Sequence, residues 1–464
     1  MIEGETTAMP LGLLAQEAAE LCGRDDSDVP AFERLLESVL LWGFRDPDAL
    51  AAALSADSGQ VPWAARQRPR GGWLLRHIVS HGLRSAPAAG GAGWLELCQH
   101  QAVDYIFGAR TGELVQRLQL RLGEVMPCLL SLPSRPSGAV DPHDLVARLA
   151  AYERAGARPG AADLGLALLR CGGGPAEPDV LRAAEKLVLP DAPRVVDWLR
   201  QGGLPQPGSW REREAGEPQR PSRRRGARIG RRILIGTEAV EGRGEFPRQF
   251  WSLFRTYEPR IACPHYGFYS RDAYAVSVLP WHPEVVAARQ LAEVASVADQ
   301  DGSGGAEFLP ALAASEGPAG PAVHLAIAYG LAAVPDADRR AAATALVMLA
   351  GRGGLDGAGL GENIVELLEL GTLKVPLLTD GLRTAAEASG GAGPVWSVMA
   401  AALPGLLART RPQLHGPLLA IAADCAALSG ARGTIPEIEA IAGRQGSSQV
   451  LRQARRLRDS LAGS

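Results

Sequence analysis

A weak internal repeat in the last third of the chain restricts the fold more than any other sequence feature. Gly320 precedes a proline and the stretch AVHLAIAYGLAAV. Gly393 lies 73 residues later, also precedes a proline, and aligns with Gly320. The same offset, within two residues, aligns the stretches that follow and matches Gly371 with Gly446. Repetition at this period is typical of arrays of helical hairpins.

The two copies span residues 318–388 and 391–461, and each contains four helix-like segments. Each copy thus holds two hairpins of about 36 residues, a length typical of α-solenoid repeats. Because one hairpin cannot bury its apolar face alone, stacked hairpins form a continuous core. We therefore expect an all-α, HEAT-like α-solenoid in two helical halves, with a small irregular, β-containing central insertion.

Helical periodicity also dominates the first part of the chain. The stretch VPAFERLLESVLLWGF has apolar residues at the spacing of one helix face. Asp141 followed by Pro142 predicts the start of a helix that ends at Gly156. The predicted regions are an N-terminal helical region (1–124), a helical module (125–203), a central arginine-rich and aromatic segment (204–283) and C-terminal repeats (284–464).

The central segment departs from the helical pattern. Its first part, LPQPGSWREREAGEPQRPSRRRG, is rich in Pro, Gly and charge and predicts a linker or exposed loop. ARIGRRILIG and AYAVSVLP are the plausible strands, and FPRQFWSLFRTYEP between them predicts a short aromatic helix.

Arginines cluster in this segment, although the net charge of the chain is −3. Such a cluster could bind phosphates and give salt-dependent affinity for nucleic acid. However, only two of the 48 basic residues of the chain are lysine, so arginine clusters carry less information here. Nearby glutamates favour a solvated connector, so the expected role is a linker or a dock for an acidic protein surface, with nucleic-acid binding as the alternative. The candidate binding residues are Arg223, Arg224, Arg225, Arg228, Arg231 and Arg232.

Four residues could form a zinc site. His77 and His81 are four residues apart, which places them on one helix face, as in zinc metalloproteases. Cys98 and His100 could complete a tetrahedral set of ligands. Ile78 stands where such a protease has its general-base glutamate, so protease chemistry is not expected. The alternative interpretation is two amphipathic histidines and a core cysteine.

A Cys/His enzyme is a further alternative. Cys263, His265 and His282, with Asp272, contain a possible nucleophile, base and orienting group. The aromatic residues among them instead favour an irregular packed loop, and His324 on an Ala/Leu face is expected in the core or a groove. The sequence has no phosphate-binding loop, nucleophile elbow or dinucleotide-binding motif. We therefore expect no enzymatic activity and no cofactor.

The cellular setting follows from features that the sequence lacks. The six cysteines are scattered without a CxxC pair, which is typical of a reducing compartment. The N-terminal stretch is acidic and differs from a signal peptide, and no apolar run reaches the roughly 18–20 residues that a membrane span requires. The sequence predicts a cytoplasmic protein without membrane contact.

The stretch LPSRPSGAVDPHDLVARLAAYERAGARPGAADLGLALLR, followed by WLRQGGLPQPGSW, resembles the helical module of an uncharacterised actinobacterial-type protein family. VLPWHPEVVAARQL through to DGLRTAAE resembles the C-terminal part of the same family, so that the likeness covers roughly residues 125–460. Its members are HEAT-like proteins of unknown function, often encoded beside SWIM-type zinc-binding proteins and sometimes near MoxR-type ATPases. The resemblance implies a non-enzymatic protein-interaction scaffold or adaptor in a multi-protein system.

Overall fold

The computed structural model describes residues 9–21, 29–56, 126–214, 231–241, 246–259, 273–298 and 305–463, and Ile106, Ala109, Arg110, Gly112, Glu113, Leu114 and Arg117. Helices and strands are numbered in chain order within these residues. The strands are β1 (Ser209–Glu214) and β2 (Arg232–Thr237). The α-helices are α1 (Leu11–Leu21), α2 (Val29–Arg45), α3 (Pro47–Ala56), α4 (Pro142–Arg154), α5 (Ala161–Arg170), α6 (Pro178–Ala184), α7 (Ala192–Gln201), α8 (Ala273–Val278), α9 (Pro283–Ser296), α10 (Leu309–Ala313), α11 (Pro321–Leu331), α12 (Asp336–Gly351), α13 (Gly357–Glu369), α14 (Val375–Glu387), α15 (Ala392–Arg409), α16 (His415–Ser429), α17 (Pro436–Ala442) and α18 (Gln449–Ala462).

The mostly helical architecture agrees with the predicted fold class, and the boundaries of α4 show why. Asp141 precedes the helix, and its side chain accepts a hydrogen bond from the backbone N–H of His143, a donor that has no partner within the helix. Pro142 occupies the first turn, where its missing N–H is not needed. Gly156 follows the helix with a φ of 63°, a backbone conformation that favours glycine. The start and end predicted for this helix are therefore confirmed.

The two strands form an antiparallel hairpin that packs against helices. β2 is buried along its whole length and contacts α9 and α11. At its other edge, the N–H of Ile233 donates to the hydroxyl of Tyr329 at 2.9 Å, and that hydroxyl donates to the carbonyl of Ile233 at 3.1 Å. Trp210 lies opposite Gly236, where a Cβ would come within 2.2 Å of the indole ring. The predicted strand in RILIG is confirmed, whereas part of the predicted linker is strand β1.

Two other predictions for the central segment are wrong. AYAVSV forms helix α8 instead of a strand, because α2, α5, α9 and α10 enclose it and packing overrides the β propensity of its valines. The predicted aromatic helix is reduced to a single 3₁₀ turn, Arg248–Phe250. Its aromatic side chains pack together, with the ring centres of Phe246 and Phe254 separated by 4.9 Å.

From α9 onward, each helix contacts the helix two positions later in the chain. One row of contacts joins α9, α11, α13, α15 and α17, and a second joins α10, α12, α14, α16 and α18. Contacts between the rows join α11 to α12, α15 to α16 and α17 to α18. Each helix therefore buries its apolar face against its own row and the facing row. Helix α11 is the most completely buried example, and no described helix has both the length and the apolar run needed to cross a bilayer.

Both segments of the predicted internal repeat contain four α-helices. Residues 318–388 hold α11 to α14, and residues 391–461 hold α15 to α18. The matched glycines lie in corresponding turns: Gly371 follows α13 with a φ of 75°, and Gly446 follows α17 with a φ of 128°. Both turns use a backbone conformation that residues with a side chain rarely adopt.

Two helices are preceded by a glycine. In each case a glutamate from another part of the chain places its carboxylate where a side chain on that glycine would lie. The carboxylate of Glu284 in α9 accepts hydrogen bonds from two backbone N–H groups at the start of α11, at 2.8 and 3.3 Å. A Cβ on Gly320 would lie 2.7 Å from that carboxyl group. Glu113 caps α5 in the same manner, and a Cβ on Gly160 would collide with it. The cap satisfies backbone donors that a helix leaves open at its first turn.

Candidate interaction site

Two arginines of β1 hold one glutamate of α13 at the surface of the fold. Side chains alternate along a strand, so Arg211 and Arg213 share one face. Arg211 Nη2 donates to Oε2 of Glu366 at 2.6 Å. Arg213 Nε donates to Oε1 of the same carboxylate at 3.0 Å, and its Nη2 donates to this oxygen as well. The arginine side chains are 40% and 72% exposed, whereas that of Glu366 is 12% exposed.

Further acidic residues of α13 also bind arginine. Glu362 and Glu369 flank Glu366 along the helix, and both pair with Arg409 of α15, at 3.0 and 3.5 Å. These exposed pairs contribute little to stability individually. Together with Arg211, Arg213 and Glu366, these pairs give the surface beside β1 three arginines and three glutamates.

The predicted arginine cluster divides at the start of β2. Arg231 is exposed, and its carbonyl accepts a hydrogen bond from the hydroxyl of Thr372, beyond α13. Arg232 is 2% exposed and donates to the carbonyl of Ala292 in α9 at 3.2 Å. Its guanidinium faces the core, so including Arg232 in a surface binding cluster was wrong. Arg223, Arg224, Arg225 and Arg228 lie in the connection between β1 and β2, outside the described residues.

A buried ionic cluster lies in the N-terminal half. Glu33 of α2 is fully buried between Arg110, at 2.7 Å, and Arg170 of α5, at 3.0 Å. Burial opposes its ionisation, but the charges and hydrogen bonds of the two guanidinium groups outweigh burial and lower the pKa of Glu33. Arg170 also donates to the carbonyls of Ser131, at 2.5 Å, and Ser277, at 2.8 Å. One cluster thereby joins α2, α5, α8 and the extended segment before α4.

Two more carboxylates complete this cluster. Asp163 of α5 accepts hydrogen bonds from the N–H of Leu130 at 2.8 Å and from the hydroxyl of Ser131 at 2.5 Å. Glu37 of α2 accepts one from the N–H of Leu129 at 3.2 Å, and burial raises the pKa of Glu37 to about 7. The cluster is enclosed and bonded internally, so it holds four segments of the chain together.

The sequence offered one sign of this cluster. Glu33 and Glu37 lie four residues apart in α2 and share a helix face with Leu36 and Leu40, all of them buried. Charged residues inside an apolar stripe indicate buried partners. Those partners come from residues far away in the chain, so spacing alone does not identify them.

Two buried histidines, His282 and His324, serve packing. His282 is buried, its Nε2 lies 2.9 Å from the carbonyl of Leu204, and burial lowers its pKa. His324 bonds through Nδ1 to the carbonyl of Gly320 and accepts through Nε2 from the N–H of Asp356, both at 2.8 Å. It is a core histidine, as predicted. The remaining members of the proposed enzyme and zinc sets, Cys263, His265, Asp272, His77, His81, Cys98 and His100, lie outside the described residues.

The cysteines that the structure describes are buried thiols. Burial raises the pKa of Cys128 and Cys171 to about 12 and that of Cys425 to about 11. Because the thiolate is the reactive form, these three residues are poor nucleophiles near neutral pH.

One exposed group within the described residues has the donor types of a metal site. His143 of α4 and two carboxylates at the start of α6, Glu177 and Asp179, place one donor atom each within 4.8 Å of one another. Both carboxylates stand at a helix N-terminus, where the peptide dipoles favour anions and disfavour a cation. Exposed acidic groups of this kind are common without an ion, so the group alone does not indicate a metal site.

Many arginines bind loop backbone in addition to acidic side chains. Arg455 of α18 shows the pattern, since it donates to the carbonyls of Ala442 at 3.1 Å, Gly446 at 3.3 Å and Arg444 at 2.6 Å. A planar guanidinium presents several donors in fixed directions, which suits carbonyls that leave a helix end. Within the described part of the chain, arginines that bind at least two backbone carbonyls include Arg148, Arg170, Arg289, Arg339, Arg352 and Arg455.

Comparison with known proteins gives one match. Residues 97–188, about a fifth of the chain, match a family described only as a domain of unknown function, DUF7824. The matched region contains Arg110, Asp163 and Arg170 of the buried cluster. No curated protein and no solved structure matches the chain significantly. The match is consistent with the resemblance to an uncharacterised family.

Proposed function

We propose that this chain is a non-enzymatic scaffold or adaptor that holds a protein partner within a cytoplasmic multi-protein system. In this proposal, α9 to α18 form a HEAT-like solenoid. The observation that carries it is the pair of contact rows in which each helix packs against the helix two positions later. Stacked helix pairs of this kind offer long exposed surfaces suited to another protein.

The polar groups of the interior support a structural role for the N-terminal half. The buried carboxylates Glu33 and Asp163 are bonded to arginine, serine or backbone donors of the same chain. The described thiols are buried with a raised pKa. The two carboxylates stabilise the contact between segments and are engaged before any ligand arrives.

An acidic partner surface is the preferred ligand. Arg211 and Arg213 are exposed on β1, and the connection from β1 to β2 carries the predicted binding residues Arg223, Arg224, Arg225 and Arg228. Arg231 lies exposed at its end. Nucleic acid is the second candidate, because the same arginines could bind phosphates.

The test is affinity purification of the tagged chain from its native host, with nuclease treatment and mass spectrometry of the recovered proteins. A scaffold recovers one or a few proteins in amounts comparable to the chain, and nuclease leaves them in place. Recovery of no protein above an untagged control contradicts the proposal. Loss of everything on nuclease treatment favours nucleic acid instead.

A further inference from the structure

Trp281 lies where the helical module (residues 126–203) meets the helix array formed by α9 to α18. Its indole Nε1–H donates to the carbonyl of Arg170, at the end of α5, at 3.0 Å. Its own carbonyl accepts a hydrogen bond from Nε2 of Gln206 at 2.8 Å. One residue at the start of the array is thus bonded both to the module and to the chain that leaves the module.

The indole ring of Trp281 rests on a surface of glycines, here called the glycine socket (Gly172, Gly173 and Gly203). A Cβ on Gly172 would lie 3.2 Å from the ring, and one on Gly173 would lie only 2.2 Å from it. Behind the ring, a Cβ on Gly203 would come within 2.8 Å of the backbone of Gly172. Because a side chain at any of these positions would collide with a neighbour, the glycines make the space that the ring occupies.

His282 binds the adjoining segment of chain beside this socket. It is 2% exposed, and its Nε2 donates to the carbonyl of Leu204 at 2.9 Å. A carbonyl only accepts, so Nε2 carries the proton and Nδ1 of the neutral ring is unprotonated. No described residue bonds this buried Nδ1. A second proton would therefore lie on a buried nitrogen without an acceptor, which costs free energy.

Ionisable groups on the elements around His282 are engaged with other partners. The carboxylates of Glu284 and Glu316 and the guanidinium group of Arg170 each bind other residues of the chain. The thiol of Cys171 stays protonated near neutral pH, because burial raises its pKa to about 12. The stretch 204–208 has no ionisable side chain. A protonated imidazole ring therefore gains no ion pair in this environment.

From this geometry we infer that Trp281 and His282 form an acid-opening joint between the helical module and the helix array. Near neutral pH the ring of His282 is neutral, and Trp281 stays in the glycine socket. At lower pH the protonated ring favours an open state in which water reaches Nδ1, the bond to Leu204 is released and Trp281 leaves the socket. This inference goes beyond the proposed scaffold function and does not depend on it.

The direction of the pH dependence follows from the pKa of His282. Burial is the main cause that lowers this pKa, and the carbonyls of Leu204 and Pro205 oppose the shift. An imidazole that is exposed in the open joint has its ordinary pKa of about 6.5. Above about pH 7 the ring is neutral in both states, and the closed joint has its full stability. As the pH falls below about 6.5, proton binding favours the open state by up to about tenfold per pH unit.

Hydrogen exchange of the full chain, followed by mass spectrometry at about pH 7.5 and about pH 5.5, tests the joint. The reporter is the peptide that covers residues 201–206, after correction for the intrinsic exchange rate. In the wild type we expect its protection to fall about tenfold at the lower pH. His282→Gln keeps a donor for Leu204 but binds no proton, so its protection should be equal at both pH values. His143→Gln, which changes an exposed histidine of α4, is the matched control and should keep the tenfold change.

A second pair of variants tests the glycine socket without changing an ionisable group. Gly173 and Gly174 both have a positive φ, of 93° and 135°, so alanine strains the backbone at either position. A Cβ on Gly173 meets the ring of Trp281, whereas a Cβ on Gly174 meets nothing within 4 Å. We therefore expect Gly173→Ala to lower the protection of residues 201–206 at neutral pH about tenfold more than Gly174→Ala does.

Each of four results overturns the joint. They are equal wild-type protection at the two pH values, a pH dependence that persists in His282→Gln, equal protection in Gly173→Ala and Gly174→Ala, and a loss of protection that is uniform over all peptides. The last result indicates global unfolding, which circular dichroism at both pH values detects independently. The wild-type comparison needs no variant, so it decides the matter even where a variant fails to fold.

Discussion

Ionisation of the buried Glu37 makes the stability of the N-terminal half depend on pH. Burial is the main cause that raises its pKa from 4.5 to about 7, and the charges of Asp163 and Glu33 act in the same direction. The N–H of Leu129 and the charge of Arg148 oppose the shift. Because a tenfold change in proton affinity corresponds to about 1.4 kcal/mol, ionising Glu37 in the folded chain costs about 3 kcal/mol.

The sign follows from the raised pKa. Below about pH 4.5 Glu37 is protonated in both the folded and the unfolded chain and costs nothing. As the pH rises from about 4.5 to 7, the unfolded chain loses the proton of Glu37 before the folded chain does, so the free energy of unfolding falls. Above about pH 7 both states are ionised and the free energy of unfolding falls no further. Glu37→Gln replaces the protonated acid with a neutral amide that still accepts from Leu129. We therefore expect this variant to match the wild type near pH 4 and to be more stable by about 2–3 kcal/mol at pH 8.

Urea unfolding of both proteins at several pH values, followed by circular dichroism, measures this difference. Glu387→Gln changes an exposed carboxylate at the end of α14 and serves as the matched control. A difference between Glu37→Gln and the wild type that stays constant from pH 4 to pH 8 refutes the reasoning, because it shows that the carboxyl group does not titrate in this range.

Two further predictions concern helix ends in the C-terminal half. Gly320→Ala places a Cβ against the carboxylate of Glu284 and disrupts the cap of α11, so urea unfolding should show a free energy of unfolding lower by about 1 kcal/mol. Gly351→Ala is the control, because a Cβ there meets nothing within 4 Å, and it should be neutral or stabilising. Arg455→Lys removes bonds to loop carbonyls after α17 and should lower stability by about 1–2 kcal/mol, with faster hydrogen exchange in that loop. The exposed Arg452→Lys is its control, and equal exchange in the two variants contradicts the assigned role.

Local signals were sufficient to predict most of the helices. Helix α4 was predicted at both ends because Asp141, Pro142 and Gly156 each act on the backbone next to them. The buried strand β2 was predicted because RILIG is an apolar, β-branched run. The internal repeat anticipated four helices in each segment, since the glycine turns recur with the helices.

The errors arose where distant parts of the chain determine the structure. The partner of β1 lies beyond a long connection, and the charges of SWRERE are typical of a linker. Helix α8 is short and enclosed by four other helices, so its alternating sequence misled the prediction. Arg232 belongs to an arginine-rich stretch but turns inward with the buried strand. The buried cluster around Glu33 draws on residues as far away as Ser277, which no local pattern connects.

The most direct test of the scaffold is the mass of the assembly that the chain forms in its native host. Native mass spectrometry of the tagged chain, purified gently and treated with nuclease, reports both the components and their ratio. We predict one assembly that contains the chain and at least one acidic protein in fixed proportion. The chain alone, or an assembly that disappears with nuclease, contradicts the account.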